Sequence, residues 1–377
     1  MFPLARFNTV IGGSLLQKTL NLGETVWKGF TTMAENKTPR LMQRIGTHSG
    51  MFHCDEALAC FMLKQLPKYE SAEVVRTRDM EVLATCDIVV DVGAVYDPKI
   101  NRFDHHQREF EHTLSTVRPE LAKNKTIKLS SAGLIYAHFG MEVIENLLTR
   151  RDIMLTTEAL ENIYIHVYEG FVEEMDAIDN GIPMYGEGIP RYRINTDLSS
   201  RVHRLNPDWD ISDEETIQKC FYKAVDLVGV EFTEILLEAT TIWWPARDIV
   251  KKAIKNRHNV YSTGEILLLE DRCPWKDHLH SLEEEMGIKD EIKFCIFHDA
   301  KSSWRVQGIP KDPGSFICRV FLHKEWRGVR DEVLSKVSGV DGSIFCHATG
   351  FIGGNQTKEG ALQMAIKSLQ ASQINKE

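Results

Sequence analysis

Residues 43–67 read QRIGTHSGMFHCDEALACFMLKQLP. Gln43–Thr47 predicts a short strand, and a polar stretch from His48 to Asp55 follows it. Asp55–Leu66 then predicts a helix, with Ala57, Leu58, Phe61, Met62 and Leu63 on its apolar face and Pro67 as its stop. The same grammar continues downstream. Glu73–Thr77 predicts a second strand and Asp79–Ala84 a short helix. Asp87–Val92 predicts a third strand, rich enough in Ile and Val to be buried on both faces. Arg102–Asp104 predicts a fourth, Ser131–Phe139 a helix, and Thr157–Ile178 a long helix with Leu160, Ile163, Val167, Phe171, Met175 and Ile178 along one side. Strands alternating with helices imply an α/β fold built on a doubly wound, mainly parallel sheet. In such sheets ligands sit beyond the carboxyl ends of the strands.

Beyond residue 190 the pattern changes. Ile266–Leu269, Ile292–His298, Trp304–Gly308 and Phe316–Leu322 predict strands, the last three close enough for hairpins. Helices are expected over Thr216–Leu227, Ala246–Asn256, Leu279–Met286, Arg330–Val337 and Lys358–Ser372. The expected organisation is an α/β domain over 43–190 and an α+β domain over 191–377, with the cleft between them as a substrate channel. The adjacent Trp243 and Trp244, before Pro245, are expected in the core at the junction.

Residues 1–42 form a separate leader. Residues 1–45 carry Arg6, Lys18, Lys28, Lys37, Arg40 and Arg44 against only Glu24 and Glu35, a net charge of +4. Leu4, Phe7, Val10, Ile11, Leu15 and Leu16 recur near helical spacing. A basic, acid-poor, amphipathic start has the character of a mitochondrial transit peptide. Met33 and Met42 offer later starts.

The whole chain has 377 residues and a formal charge of -9. That balance excludes a protein that coats nucleic acid by bulk charge. No apolar run reaches the roughly 18 residues a membrane span needs. The eight Cys, at 54, 60, 86, 220, 273, 295, 318 and 346, contain no Cys-x-x-Cys pair. They read as buried, reduced thiols.

Polar residues gather at the strand ends. His48, His53 and Asp55 follow the first strand, Asp91 the third, and Asp104-His105-His106 the fourth. Asp176 and Asp179 close the long helix. Imidazole and carboxylate together suit a divalent transition metal such as Mn²⁺. A carboxylate after a buried strand, like Asp91, needs a partner, and one ion or two can supply it. Singly, each residue has an ordinary reading: Asp55 caps a helix, and Asp176 with Asp179 make a solvated stripe. The combination is what points to a metal site.

The order of these motifs resembles the DHH phosphoesterase superfamily. More narrowly, Gly46–Ala57, Asp91–Gly93, Phe103–Gln107, Asp176–Pro183, Trp304–Gln307 and Phe345–Gly354 resemble the melanocyte proliferating gene family. The resemblance covers nearly all of 43–377. It implies a DHH-like fold and a metal-dependent 3′–5′ exonuclease of single-stranded RNA, in the mitochondrial matrix and nucleus. It implies two divalent ions, Mn²⁺ ahead of Mg²⁺, that activate water. His48, His53 and Asp55 match the first motif's ligands, Asp91 the bridging Asp, and His105 the ligand of the third motif. Asp176 or Asp179 matches the fourth. Asp104 and His106 would orient ligands or act on phosphate. Arg305, His347, Gly353 and Gly354 would hold the nucleic-acid phosphate. The chain departs from the superfamily at His53, where an Asp is usual, and at Asn355, where Gly-Gly is usually followed by His. The competing readings are an oligonucleotide phosphodiesterase or pyrophosphatase, and a non-catalytic, metal-stabilised RNA-binding protein. Oligomeric state is left open.

Overall fold

A computed structural model describes residues 42–186, 192–211, 213–299, 303–312 and 314–374. The leader expected over residues 1–42 lies, but for Met42, outside the described residues.

The first half opens with β1 (Arg44–Thr47), α1 (Cys54–Lys64), β2 (Glu73–Arg76), α2 (Met80–Ala84) and β3 (Ile88–Val90). A two-residue edge strand β4 (Tyr96–Asp97) and β5 (Arg102–Phe103) follow. The sheet order is β2-β1-β3-β5-β4. β1 pairs in parallel with β2 and β3, β3 pairs in parallel with β5, and only β4 runs antiparallel. Parallel neighbours need crossover connections, which α1 and α2 supply. Alternate strand residues serve opposite faces. Ile45, Val74, Ile88, Val90 and Phe103 enter the main core with α1. Val89 packs with Leu83 and Cys86 beside α2 in a smaller one. β4 is too short for periodicity to have announced it.

Next come α3 (Leu114–Val117), α4 (Ser131–Thr149), α5 (Thr157–Val167) and α6 (Glu173–Asp179). The sequence reads α5 and α6 as one helix, whereas the structure joins them by a π-helical turn at Tyr168–Val172. Helices α7 (Leu198–His203) and α8 (Glu214–Glu238) complete this half. The boundary expected near residue 190 falls inside it. Val202, Phe221, Val228 and Phe232 are buried in the same core as β1 and α1, which continues to Ala239.

The second half begins with α9 (Trp244–Val260), with Pro245 in its first turn, where a missing N–H costs nothing. Then follow β6 (Ile266–Leu269), α10 (Lys276–Glu285), β7 (Phe294–His298), β8 (Trp304–Gly308), α11 (Asp331–Ser338), β9 (Ser343–Cys346), β10 (Ile352–Asn355) and α12 (Lys358–Ile374). Their order is β6-β7-β8-β10-β9, parallel only between β6 and β7. One face packs Ile296 and Val306 against Met364 and Ala365 of α12. The other packs Leu267, Leu269 and Cys295 against Val250, Ile254 and Leu279 of α9 and α10. The molecule is thus α/β with two mixed sheets.

Two strand expectations fail here. Phe316–Leu322 is not a strand: it makes one isolated bridge, Cys318 to Pro310, and Phe316 is 92% exposed. Besides β7, β8 pairs instead with β10, whose Gly353 and Gly354 carry no strand propensity to read. Trp243 does sit at the junction, stacked on His166 of α5 at 3.8 Å, its carbonyl 2.7 Å from His278 Nε2. All eight cysteines are free.

Candidate metal centre

β1, β3 and β5 are neighbours in the sheet, and their carboxyl ends place His48, Asp91 and His105 side by side. The loop after β1 returns through His53 into α1, whose first turn adds Asp55 and Glu56. The end of α6 adds Asp179. The chain turns sharply after β3. Asp91, Gly93 and Ala94 all have positive φ, 57°, 98° and 53°. For a residue with a Cβ that conformation costs about 1–2 kcal/mol, and Asp is among the few that tolerate it. Strain of this kind collects at functional sites.

The side chains converge. His48 Nε2 lies 3.0 Å from Glu56 Oε1 and 3.4 Å from Asp91 Oδ2. His105 Nε2 lies 3.0 Å from Asp179 Oδ2, 3.6 Å from Asp91 Oδ1 and 3.9 Å from Asp55 Oδ2. Both Nε2 atoms are nonetheless buried without a hydrogen-bond partner of acceptable geometry among the described residues. Imidazole nitrogens and carboxylate oxygens point into shared space rather than at one another. Buried polar atoms left this way normally have an explanation in a missing water or ion. The donor atoms form three sets, each within 4.8 Å: His48, His53, Glu56 and Asp91; Asp91, His105 and His106; Asp55, His105 and Asp179. Asp91 belongs to two of them. Mixed nitrogen and oxygen donors fit a divalent transition ion.

Protons stand where positive charge is wanted. Burial works against a charged His48, but the carboxylates of Asp91 and Glu56 outweigh it and push its pKa to about 10. For His105, burial is likewise overcome by Asp179, Asp91 and Asp55, giving about 11. Asp55 is raised well above the ordinary range, first by burial and then by repulsion from Asp179 and Asp91. Asp91 is depressed despite burial, because His105 and His48 face it.

The N-terminus of α4 clamps two acids. Ser131 N donates to Asp55 Oδ2 at 3.0 Å, Ala132 N donates to Asp55 Oδ1, and Ser130 Oγ donates to Oδ1 at 2.6 Å. A helix start favours such negative charge. Ser130 N donates to Asp176 Oδ1 at 2.9 Å, the Ser130 hydroxyl oxygen lies 2.8 Å from the same Oδ1 and shares its single proton between the two acids, and Tyr168 Oη donates to Oδ2 at 3.0 Å. Asp176 is wholly buried, and burial lifts its pKa to about 7 against those bonds. The structure therefore brings Asp179 into the donor sets and holds Asp176 behind them. Gly133 makes this possible, because a Cβ there would overlap the Asp176 carboxylate.

Asp104 and His106 form a unit. Asp104 Oδ2 accepts from Ala94 N at 2.6 Å, and Oδ1 lies 2.7 Å from His106 Nδ1. That bond places a proton on Nδ1 and leaves Nε2 to the half-open cleft, where the His106 side chain is 60% exposed. Asp104 raises the His106 pKa, against burial.

The sequence reading missed Glu56 as a site residue. Its carboxylate accepts from His53 N at 2.9 and 3.0 Å while facing His48. The signal was a Glu three residues after the residue preceding a helix, which alone says only cap. The four residues expected to hold phosphate do not line the cleft at the donor sets. Arg305 is paired with Asp299 Oδ2 at 2.5 Å and lies over Phe345. His347 Nδ1 lies 2.9 Å from Thr349 Oγ1. Gly353 and Gly354 sit within β10 where Leu322, Met364, Phe345 and Arg305 fill the space a side chain would take.

With this geometry in hand, likeness to known proteins is informative. The family model MYG1_exonuc, described as "Uncharacterised protein family (UPF0160)", matches residues 44–369. The chain belongs to the MYG1 family. It is 51% identical to the "MYG1 exonuclease" of Homo sapiens over 329 residues, 86% of this chain and 85% of that one. Identity to the "MYG1 exonuclease" of Rattus norvegicus is also 51%, over 86% of this chain and 84% of the relative. The "MYG1 protein" of Dictyostelium discoideum is 46% identical over 87% and 97%. A solved structure, an uncharacterised protein from Helicobacter pylori G27, aligns over 84% of this chain and 94% of its own at a TM-score of 0.22 and 11% identity. The MYG1 match spans both sheets and every residue of the donor sets.

Proposed function

We propose that this MYG1 family chain is a divalent-ion-dependent 3′–5′ exonuclease acting on single-stranded RNA, on a DHH-like catalytic half. The observation that carries the reading is Asp91, whose Oδ2 faces His48 and whose Oδ1 faces His105. One carboxylate shared between two donor sets is the arrangement a pair of ions needs. His48, His53, Glu56 and Asp91 would hold one ion, and Asp55, His105, Asp179 and the second oxygen of Asp91 the other. Bound there, divalent ions supply Lewis acidity to the phosphodiester and lower the pKa of the attacking water.

The chain's own residues do the rest. The α4 N-terminus fixes Asp55 so that Oδ2 faces the site. Asp104 fixes the His106 ring and keeps it cationic more readily. His106 Nε2 is then placed to stabilise charge on the phosphate or give a proton to the departing oxygen. The exonuclease names of the human and rat relatives support the nuclease class. The cleft, of about 1720 Å³ and lined by 30 of the described residues, suits a strand better than pyrophosphate.

End-labelled RNA incubated with Mn²⁺ should shorten in a ladder from its 3′ end and stop on addition of chelator. RNA bound but left intact, with ions present, would refute the enzymatic reading. Cleavage confined to dinucleotides or pyrophosphate would replace it with the smaller-substrate one. Without His106, as His106→Ala, ions should remain bound while cleavage slows about 10²-fold or more.

A further inference from the structure

The cleft beside the donor sets has two kinds of wall. One kind is apolar, with Ile178, Ile182, Met184 and Ile194. Of these, Met184 is 81% exposed, and Ile178 and Ile194 are about half exposed. Open apolar side chains next to a carboxylate cluster suit an occupant with flat apolar faces and anionic groups. The other kind is basic. Arg78 and Arg204 both line the cleft. Arg78 also borders the loop that carries His48 and His53. Arg78 Nε donates to Ser49 O at 3.3 Å. Arg204 Nη1 donates to Asn195 O at 2.7 Å. Two residues on, Asn206 grips the same loop, accepting from Phe52 N and donating to Phe52 O, each at 2.9 Å.

Neither guanidinium is within ion-pair distance of a carboxylate among the described residues, although Glu173, Glu174 and Asp197 line the same cleft and Arg204 attracts Asp197 at longer range. Other arginines of this chain are neutralised: Arg201 by Glu231, Arg247 by Glu285, Arg305 by Asp299, Arg319 by Glu283. A carbonyl tether aims a guanidinium without cancelling its charge, and the other N–H groups stay available in their planar fork.

We propose that Arg78 and Arg204 are the phosphate-holding pair for the polymeric substrate. They grip backbone phosphates of the strand next to the reacting nucleotide, while bases lie against Ile178, Met184 and Ile194. This rests on the nuclease reading above. It moves phosphate recognition from Arg305, His347 and the Gly353-Gly354 strand to the wall of the ion cleft itself. Bidentate guanidinium–phosphate contacts give both orientation and charge compensation.

The test is binding, measured apart from turnover. Fluorescein-labelled decauridylate with phosphorothioate linkages, which resist cleavage, is titrated with the full chain in Mn²⁺ over a salt series. Arg78→Ala and Arg204→Ala should each weaken binding about tenfold and flatten the log–log salt slope by about 0.7, the share of one phosphate contact on a single strand. Arg78→Lys and Arg204→Lys should restore the slope but only part of the affinity. Arg151→Ala, which removes an exposed arginine outside the cleft, should change neither. Wild-type affinity and slope in both alanine variants would overturn the assignment, as would a wild-type chain that fails to bind the oligonucleotide. Arginine-dependent binding without cleavage of ordinary RNA would leave this inference standing and sink the exonuclease reading instead.

Discussion

Loading the site with Mn²⁺ should expel protons, and the structure says how many. His48 and His105 titrate at about 10 and 11 in the ion-free chain. At pH 8 each imidazole is therefore protonated in roughly 99% of molecules or more. A ligating imidazole must be neutral. Filling both sets should release about two protons, plus whatever proton the raised Asp55 carboxyl still holds. The product of the two association constants should then rise about a hundredfold per pH unit from pH 7 towards pH 10. Calorimetric titration with Mn²⁺ in two buffers of different ionisation enthalpy reads the proton count directly, and His48→Gln should lower it by about one. Heats that do not depend on the buffer would mean that neither imidazole is displaced from its proton, and the donor-set argument would fail. A stability counterpart follows. Both folded pKa values lie above the unfolded 6.5, so the stabilisation they give is complete below pH 6.5 and disappears as pH climbs through 10 and 11. Thermal melting of the ion-free chain should fall over that range, and the ion-loaded chain should lack this fall.

Three further outcomes are expected. Asp91→Asn keeps a residue that tolerates φ 57° but removes the shared charge, so turnover should drop at least about 10²-fold and bound metal should fall by one ion, by elemental analysis, with the circular dichroism unchanged. Gly133→Ala in an open helix would gain up to about 1 kcal/mol. Here its Cβ would collide with Asp176, so urea unfolding should show a loss of about 1–3 kcal/mol, and any gain would mean that Asp176 is not held as described. His278 is kept below 6.5, chiefly by burial, so its contribution is present above pH 6.5 and is lost as pH falls from there through its lowered folded value. The acid side of the melting profile should accordingly be shallower in His278→Gln, and an unchanged slope would count against it.

The first half was legible because its strands alternate with helices and are followed by polar residues, only β3 being a pure Ile-Val run, and strand ends in a parallel sheet share one edge. His48, Asp91 and His105 needed nothing more. Asp179 over Asp176 was not legible. Three apart on a helix, both fall on one face, and the π turn at Tyr168–Val172 upstream breaks the 3.6-residue register used to rotate them. Glu56 looked like a cap and is one, and its second contact, to His48, crosses from α1 to β1. Arg305 looked available because its neutralising partner, Asp299, is brought to it only by the pairing of β7 with β8. The glycines of β10 read as a phosphate cradle because sequence cannot show that Met364 and Phe345 already fill the space beside them.

Five acids at this site, Asp55, Glu56, Asp91, Asp104 and Asp176, are no more than 5% exposed. A buried carboxylate must be compensated or neutralised, and the fold settles four of them from its own backbone. Asp55 has Ser131 N and Ala132 N, Glu56 has His53 N, Asp104 has Ala94 N and His106 N, and Asp176 has Ser130 N with a pKa near neutrality. Among the described residues the Asp91 carboxylate has no backbone donor; Ser131 Oγ donates to it at 3.5 Å, and the imidazoles of His48, His105 and His106 face it. The chain also holds it in a backbone conformation that costs energy. Where the fold answers the other four acids with backbone N–H groups, it answers Asp91 with the imidazoles of His48 and His105, a compensation that divalent cations could take over by displacing those protons. That exchange is why the two oxygens of Asp91 carry the function proposed for the whole cleft.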